Sequence, residues 1–352
     1  MEPLMKRARF CACKPLVCTN SLCNVDGHAY VDYRPSLECP VVLSVPHGGN
    51  LTPEAMPDRS SGCVEPDGES WELAEAVLRA CSEAALGAPA MVGLKLHRSK
   101  LDGNKCLCAA CENCEECEDC EVMVGDAADA WTVYHKRIEE ALQQCVAKFG
   151  FALLLDLHGQ SHRDGVTELG YLLYSEDYFL SDAALSSRPP RLTSLDALVR
   201  QSRASVDLAA VLRGPDSFGA LMEVRGCPCT PSPSRPQPVS QAALRAARSA
   251  HLDMSAALGP PPEAARAATY FSGGFTTIRY AAPARVGPKQ DPLTKEAQEG
   301  WASKVAGVQL ETAWAGVRDS DDSKRNFGVA MQGSVAAFLG RWYGWTPVAP
   351  EE

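Results

Sequence analysis

The sequence lacks long apolar runs. No stretch of its 352 residues approaches the roughly 18 uninterrupted apolar residues of a membrane-spanning helix, so we expect no membrane partner. The charged residues 1–9 are not followed by the apolar segment of a secretory signal. Together these two absences predict a cytoplasmic protein.

Basic charge is also scarce. The chain has 34 Lys and Arg residues against 44 Asp and Glu residues, which gives a formal net charge of -10. Nucleic acids are bound by basic surfaces, so no nucleic-acid partner is expected. The Gly-x-Ser-x-Gly elbow and the Gly-x-x-x-x-Gly-Lys phosphate loop are both missing. These absences disfavour a serine hydrolase and an enzyme that binds nucleotide phosphates.

Cysteine, in contrast, is abundant and unevenly placed. Six of the 16 cysteines lie in residues 106–120 and four lie in the first 23 residues. Disulfide frameworks are typical of short secreted chains, so reduced thiols are expected here. For the cluster at residues 106–120 we favour a structural zinc site built from Cys-x-x-Cys pairs. An acidic thiol loop without a fixed ligand and redox control by a disulfide are the alternatives. The candidate zinc ligands are Cys108, Cys111, Cys114, Cys117 and Cys120.

Strand and helix patterns alternate along most of the chain. This alternation predicts an α/β fold with a single mixed, mainly parallel sheet and helices on both of its faces. Apolar runs predict strands at 41–45, 91–94, 151–158, 169–174, 218–224, 271–280 and 308–312. Apolar residues at helical spacing predict helices at 73–84, 131–149, 194–212, 242–258 and 329–342.

The predicted elements also suggest the domain organisation. Residues 1–39 show neither a helical nor a strand period and are interpreted as a Cys-containing N-terminal extension. Residues 40–345 are interpreted as one domain, with residues 106–120 as a Cys-rich insertion. Residues 346–352 form a short tail.

Polar residues follow three of the predicted strands, and they are His47, His158 and Glu311. Open α/β sheets carry their sites at the carboxyl ends of the strands. Asp156 and His158 are two residues apart on an extended segment, so both side chains point to one face. Two histidines and a carboxylate are the ligand set of a catalytic zinc that keeps one position open for water.

A zinc site of this kind needs a general base for its water, whose pKa falls to about 7 on the metal. Glu311 is a lone acid in an apolar strand and fits that role. The alternatives are that the histidines are structural and that Glu311 is a buried acid paired with Arg279 or Arg318.

Six sequence motifs occur along the chain, at residues 44–49, 97–105, 134–135, 151–162, 273–280 and 308–311. They resemble, in the same order, those of the N-formylglutamate amidohydrolase family. The resemblance implies a zinc-dependent amide hydrolase with an α/β fold related to metallocarboxypeptidases. Its expected substrate is a small N-acyl amino acid with an acidic side chain, as in the hydrolysis of N-formylglutamate to glutamate and formate.

The resemblance also implies roles at the metal. His47, Asp67 and His158 match the zinc ligands, and Glu311 matches the catalytic glutamate. Glu54 and Glu69 are nearby alternatives to Asp67, so the third ligand stays open. Asp156 is expected to orient His158 or a neighbouring residue.

On the substrate side, Arg98 and Asn104 match the residues expected to hold carboxylates, and Arg279 is expected to assist. An Arg side chain suits this task because it donates two parallel hydrogen bonds to a carboxylate. The alternative for Arg98 is a salt bridge to Asp102. His162 either contacts the substrate or caps its loop.

Two features depart from the family pattern. Lys105 and Cys106 stand where the family has Arg-Pro, and the Cys-rich insertion follows at once. Both features bear on which amino acid the substrate contains more than on the hydrolytic centre. A carboxypeptidase, another N-acyl amino acid deacylase, and a non-catalytic protein that binds metal or thiol partners through the Cys cluster therefore remain as alternatives.

Overall fold

The computed structural model describes seven ranges of the chain: 29–112, 126–162, 164–187, 193–202, 206–237, 270–285 and 292–347. Three features predicted from the sequence lie outside the described residues. They are the helix at 242–258, the cysteines of the first 23 residues, and Cys114, Cys117 and Cys120.

The described residues form one seven-stranded sheet with the strand order β1-β3-β2-β4-β7-β5-β6. Four of the strand pairs are parallel, and the pairs β1/β3 and β5/β7 are antiparallel. The predicted mixed, mainly parallel sheet is therefore confirmed. The strands are β1 Val31–Arg34, β2 Val41–Val45, β3 Ala90–Leu94, β4 Ala152–Gly159, β5 Thr167–Gly170, β6 Cys229–Thr230 and β7 Val305–Thr312.

Helices cover both faces of the sheet. They are α1 Ser70–Ser82, α2 Leu107–Ala110, α3 Asp126–Phe149, α4 Asp182–Ser186, α5 Asp196–Gln201, α6 Leu208–Arg213, α7 Phe218–Glu223, α8 Phe275–Ala281, α9 Lys295–Glu299 and α10 Asp321–Tyr343. No helix among these is long and apolar enough to cross a membrane.

Buried apolar residues form two clusters, one on each face of the sheet. Leu153 of β4 packs in the cluster that contains Leu73 of α1 and Phe327 of α10. Its neighbour Leu154 packs in the cluster that contains Ile138 of α3. Successive strand residues point to opposite faces, so β4 needs an unbroken apolar run. The apolar run 151–158 predicted this strand for the same reason.

Most of the predicted elements are found, although helices α3 and α10 begin at Asp126 and Asp321, well before their predicted starts. The strands 41–45, 91–94, 151–158 and 308–312 correspond to β2, β3, β4 and β7. The helices 73–84, 131–149 and 329–342 correspond to α1, α3 and α10. Two further predictions match in part. The strand predicted at 169–174 overlaps only the end of β5, and the helix predicted at 194–212 contains the two short helices α5 and α6.

The strand predicted at 218–224 is wrong, because these residues form helix α7. The Ser217 hydroxyl accepts a hydrogen bond from the N–H of Ala220 and caps the helix start. A short apolar run does not distinguish a strand from one buried helical turn by periodicity. The Ser cap just before the run was the signal that favoured a helix.

The strand predicted at 271–280 is also wrong, because it contains helix α8. Its β-branched residues favour a strand, but the backbone N–H of Thr276 donates to the side-chain oxygen of Asn104, 2.9 Å away. A cap supplied by a residue 172 positions earlier is not visible in the local sequence.

Strand β1 lies within residues 1–39, which the sequence pattern assigned to an extension. It pairs antiparallel with β3 and forms the edge of the sheet. Residues 31–34 thus belong to the sheet. A four-residue edge strand with only one buried residue leaves little apolar pattern to detect.

Candidate active site

A cluster of polar side chains lies where β2 and β4 end. These strands are parallel neighbours, so their carboxyl ends meet at one edge of the sheet. His47 follows β2, His158 lies near the end of β4, and Asp67 comes from the loop before α1. The backbone N–H of Asp67 donates to the carbonyl of His47 at 3.1 Å, which brings this loop to the strand ends.

Three ligand atoms of the cluster converge on one point. Nδ1 of His47 is 3.2 Å from Oδ2 of Asp67, and Nδ1 of His158 is 3.1 Å from the same oxygen. The two Nδ1 atoms are 3.1 Å apart. All three side chains are buried. Zinc bonds of about 2.0–2.1 Å at the tetrahedral angle space ligand atoms about 3.3 Å apart, so the cluster fits a metal ion.

The outer nitrogen of each ring contacts a further carboxylate. Nε2 of His47 is 2.6 Å from Oδ1 of Asp102, and Nε2 of His158 is 3.1 Å from Oδ2 of Asp156. The Ser44 hydroxyl donates to the other oxygen of Asp156 at 2.6 Å. Ligating histidines commonly carry such carboxylate partners, which fix the ring and leave the inner nitrogen facing the metal. The expectation that Asp156 orients His158 matches this geometry.

The electrostatics of the cluster also favour a bound cation. Burial acts to raise the pKa of Asp67, but His47 and His158 outweigh it and hold that pKa well below its usual value. Burial likewise acts on Asp102, whose pKa is also lowered, chiefly by His47 and Arg98. Both acids are therefore anionic at neutral pH.

The alternatives to Asp67 do not join the cluster. Glu69 points to Lys324, with the carboxylate and ammonium 2.5 Å apart. Glu54 is exposed on the loop after β2. Among the described residues, His47, Asp67 and His158 form the one group of three with metal-ligand spacing.

Glu311 lies beside the cluster on β7, directly opposite His158 of β4. It is 5% exposed, and the side-chain amide of Gln309 donates to its Oε1 at 2.7 Å. Burial raises the pKa of Glu311 to about 7. Nearby His158 acts to lower this pKa, and Asp67 acts to raise it. Glu311 can therefore take up and release a proton near neutral pH.

The two arginines considered as partners of Glu311 bind elsewhere. Arg279 donates to Glu139 at 2.9 Å. Arg318 donates to the carbonyls of Gly68 and Gln160, the second at 2.7 Å. A Cβ atom at Gly159 would overlap the Arg318 guanidinium, so a larger residue there would displace that side chain. The contacts of Arg318 tie the Asp67 loop to the end of β4.

Arg98 lies against the cluster of His47, Asp67 and His158. Its guanidinium is 3.2 Å from Oδ1 of Asp67 and 3.3 Å from Oδ2 of Asp102. The salt bridge to Asp102 that was the sequence alternative is therefore present. Arg98 also lines the pocket described next, so it combines an ion-pair partner with a position at the surface of the cavity.

A pocket of about 760 Å³ opens over the cluster. Asn104 lines it, with Nδ2 3.3 Å from Nε2 of His158 and Oδ1 capping α8. His162 lines it on the β5 side, while Arg279 lies outside its lining, beside Trp131 and Phe275. The predicted site residues in the lining are His47, Asp67, Arg98, Asn104, His158, His162 and Glu311.

The described part of the Cys-rich insertion borders the same pocket. Cys106 is in the lining, and its sulfur is 3.0 Å from the sulfur of Cys108. Cys111 is the last described cysteine of the insertion. The predicted thiolate zinc site depends on Cys114, Cys117 and Cys120 and stays a prediction.

Sequence reasoning missed four residues that shape the site. Asp102 and Gln309 hold a ligand histidine and the candidate base, and Arg318 with Gly159 fixes the strand end. Asp102 lies within a quoted motif but was considered only as a partner of Arg98. Gln309 is two positions before Glu311, so both side chains lie on the same face of the strand. This spacing was the sequence signal for its role.

The sequence matches no protein-family model and no curated protein. Among solved structures it is similar to an N-formylglutamate amidohydrolase from Ralstonia eutropha JMP134, at 13% identity and a TM-score of 0.44, over 89% of this chain and 99% of that chain. It is also similar to a gene product from Agrobacterium tumefaciens, at 10% identity and a TM-score of 0.38, over 88% and 95%. Likeness at this level decides neither family nor activity, so membership of the family stays a prediction from the six motifs.

Proposed function

We propose that this protein is a zinc-dependent amidohydrolase that cleaves the amide bond of an N-formyl amino acid with an acidic side chain. The observation that carries the proposal is the convergence of the His47, Asp67 and His158 ligand atoms beside Glu311, under one pocket. The six ordered motifs support the choice of N-formylglutamate as substrate, with glutamate and formate as products.

In this proposal, His47, Asp67 and His158 hold the metal, and Asp102 and Asp156 keep the two rings oriented. A zinc ion bound there supplies Lewis acidity, which polarises a substrate carbonyl and makes a water molecule nucleophilic near neutral pH. The buried anionic carboxylates around the rings offset the charge of the cation. Other divalent ions with a preference for imidazole ligands fit the same donors.

Glu311 performs the proton transfers. As a carboxylate it accepts a proton from the attacking water, and as a carboxylic acid it returns that proton to the nitrogen of the leaving amine. A pKa of about 7 suits both halves of this cycle at neutral pH. The hydrogen bond from Gln309 holds one carboxylate oxygen in place during the exchange.

Substrate contacts are proposed for Arg98 and Asn104, which line the pocket beside the metal ligands. The Nδ2 atom of Asn104 lies near His158, where it can donate to an acyl oxygen or a carboxylate. Arg279 remains a proposed contact only if its ion pair with Glu139 opens.

A substrate panel tests the proposal. Zinc-loaded protein is assayed with N-formylglutamate, N-acetylglutamate and a peptide with a C-terminal glutamate, and we expect N-formylglutamate to be hydrolysed fastest. A faster peptide reaction would indicate a carboxypeptidase, and a faster acetyl reaction another deacylase. Either result contradicts the proposed substrate.

Glu311→Gln provides the mechanistic arm of the test. We expect this variant to retain zinc and to lose turnover by about 10²- to 10⁴-fold, the usual contribution of a general base. Glu65→Gln is the matched control, because Glu65 also lines the pocket but is exposed. Equal turnover of Glu311→Gln and the parent would remove Glu311 from the mechanism.

Metal analysis separates the enzyme from a non-catalytic thiol protein. The enzyme loses one equivalent of zinc and its activity on substitution of His158. A protein that works through its cysteines retains that metal in the His158 variant and hydrolyses none of the panel. The second result would overturn the proposal.

A further inference from the structure

A histidine–glutamate pair lies at the β5 side of the pocket. Nδ1 of His162 is 2.8 Å from Oε1 of Glu168. The other oxygen of Glu168 accepts a 3.0 Å hydrogen bond from the backbone N–H of Phe271. The His162 ring also stacks on the Phe271 ring, with centroids 5.6 Å apart. Two bonded carboxylate oxygens and one stacked face fix the orientation of the imidazole.

The strand register places this pair in line with the candidate catalytic residues. Glu311 is paired with His158 of β4 on one side and with Glu168 of β5 on the other. Residues directly opposite each other on neighbouring strands point to the same face. Neighbouring strands are about 4.8 Å apart, so the metal ligand, the base and the support of His162 form a row across three strands.

His162 presents one nitrogen to the pocket. Its side chain is 34% exposed, whereas that of Glu168 is 12% exposed. Nδ1 faces Glu168, so Nε2 on the opposite side of the ring is the atom left for a ligand. With Nδ1–H donating to Glu168, Nε2 is left to donate to an anionic acceptor in the pocket. A carboxylate matches this arrangement.

The arginines predicted to hold the substrate are already bound to acids. Arg98 is paired with Asp67 and Asp102 at the metal cluster, and Arg279 with Glu139 outside the pocket lining. An acidic substrate has two carboxylates, and the side-chain carboxylate is the one farther from the scissile amide. Glu168, which accepts from His162, lies one strand beyond the base, on the side away from His158.

We propose that His162, held by Glu168, binds the side-chain carboxylate of the substrate and thereby selects an acidic over an amide side chain. The inference rests on the proposed function for the reaction, and it adds the residues that recognise the side chain. Glu168 acts as a positioning residue, because it touches His162 and not the substrate.

The test uses the zinc-loaded full chain and the variant His162→Asn. An Asn amide nitrogen takes the place of Nδ1, so the bond to Glu168 is retained while the Nε2 donor is removed. The same substitution at His97 is the control, because His97 is bonded to Ser99 and lies outside the pocket lining. Steady-state kinetics are measured with N-formylglutamate and N-formylglutamine, and calorimetry measures the binding of glutamate and glutamine.

For His162→Asn we expect KM for N-formylglutamate to rise about 10- to 100-fold, as for the loss of a hydrogen bond to a charged group. KM for N-formylglutamine, kcat, and all constants of His97→Asn are expected to stay near the parent values. Unchanged KM for N-formylglutamate would show that His162 only supports Glu168. An equal loss on both substrates would indicate a role in proton transfer, and either result overturns the inference.

The binding data separate this inference from the proposed reaction. If the parent hydrolyses neither substrate but binds glutamate over glutamine, and His162→Asn loses that preference, the reaction is wrong and the recognition site stands. If the parent binds both amino acids equally, or binds neither, the recognition site is wrong whatever the turnover.

Discussion

The two sides of the pocket are built in different ways. The metal side consists of His47, Asp67, His158 and Glu311, all buried on strand ends or directly beside them. Both ring nitrogens of the two histidines have close polar neighbours there. The outer side consists of Lys105, Cys106, His162, Phe271 and Phe275, which lie on loops or at the start of a helix and are partly or fully exposed.

This difference suits the buried side to the proposed catalytic step and the exposed side to the choice among substrates. A group that binds a metal has to be held within fractions of an ångström, which buried strand ends and paired carboxylates provide. Side chains on loops tolerate replacement, and selection among substrates is commonly placed there. Variants of the metal side should therefore change zinc content and kcat, whereas variants of the outer side should change KM.

The largest effect is expected for His158→Ala. Removing a ligand should abolish stoichiometric zinc and lower turnover by more than about 100-fold, since loss of a mere partner of a ligand costs about 10- to 100-fold. Zinc is measured by mass spectrometry after dialysis, with His97→Ala as the control. Full zinc content in His158→Ala would place the metal elsewhere in the chain.

Asp102→Asn should have the next largest effect. The Asn keeps the shape of Asp102 but not its charge, so the His47 ring loses a carboxylate 2.6 Å from Nε2. We expect zinc affinity to fall about 10- to 100-fold, measured by chelator competition. If the affinity stays at the parent value while KM rises, Asp102 belongs to substrate binding and the division between the two sides fails.

The pH dependence of kcat/KM reports on Glu311. A base with its pKa raised to about 7 is protonated and idle below that pH, so the rate should rise with pH and level off above about 7. A bound cation favours the carboxylate form of Glu311, so it moves this rising part of the profile, the acid limb, to lower pH. The limb should fall about tenfold per pH unit and be absent from the residual activity of Glu311→Gln. An acid limb that persists unchanged in Glu311→Gln would contradict the assignment of Glu311 as the base.

The smallest effect is expected for Arg279→Lys. Arg279 pairs with Glu139 and packs near Trp131 and Phe275, so the change should lower the free energy of unfolding by about 1 kcal/mol through the lost aromatic contacts. Chemical denaturation measures this, and KM should not change. A raised KM for the acidic substrate would instead make Arg279 the substrate contact predicted from the sequence.

The sequence predicts those parts of the fold that are buried on both faces or are strongly periodic. The apolar run of β4 and the spacing of Trp131, Ile138 and Leu142 in α3 each permit one interpretation. Helices α7 and α8 were predicted as strands because they are short and depend on caps from Ser217 and Asn104. The Ser217 cap is part of the local sequence and was overlooked, whereas the Asn104 cap acts through tertiary position, which a local pattern does not contain.

The candidate site also contains residues that a local sequence pattern indicates and residues that it does not. His47, His158 and Glu311 were predicted as site residues because each interrupts an apolar pattern at a strand end. Asp102 and Glu168 were missed as partners because their roles depend on which strands are neighbours and in which register. The sheet order places Glu168 beside Glu311, although 143 positions separate them in the sequence.

The Arg318 tie has a consequence for how this chain can diverge. Any side chain at Gly159 occupies the space of the guanidinium that binds the carbonyls of Gly68 and Gln160. Positions 159 and 318 should therefore vary together among related sequences, with a larger residue at 159 where Arg318 has been replaced or has moved aside. A homologue with both positions changed would need another way to hold the Asp67 loop, which makes this pair a test of whether distant relatives keep the same arrangement of the His47, Asp67 and His158 cluster.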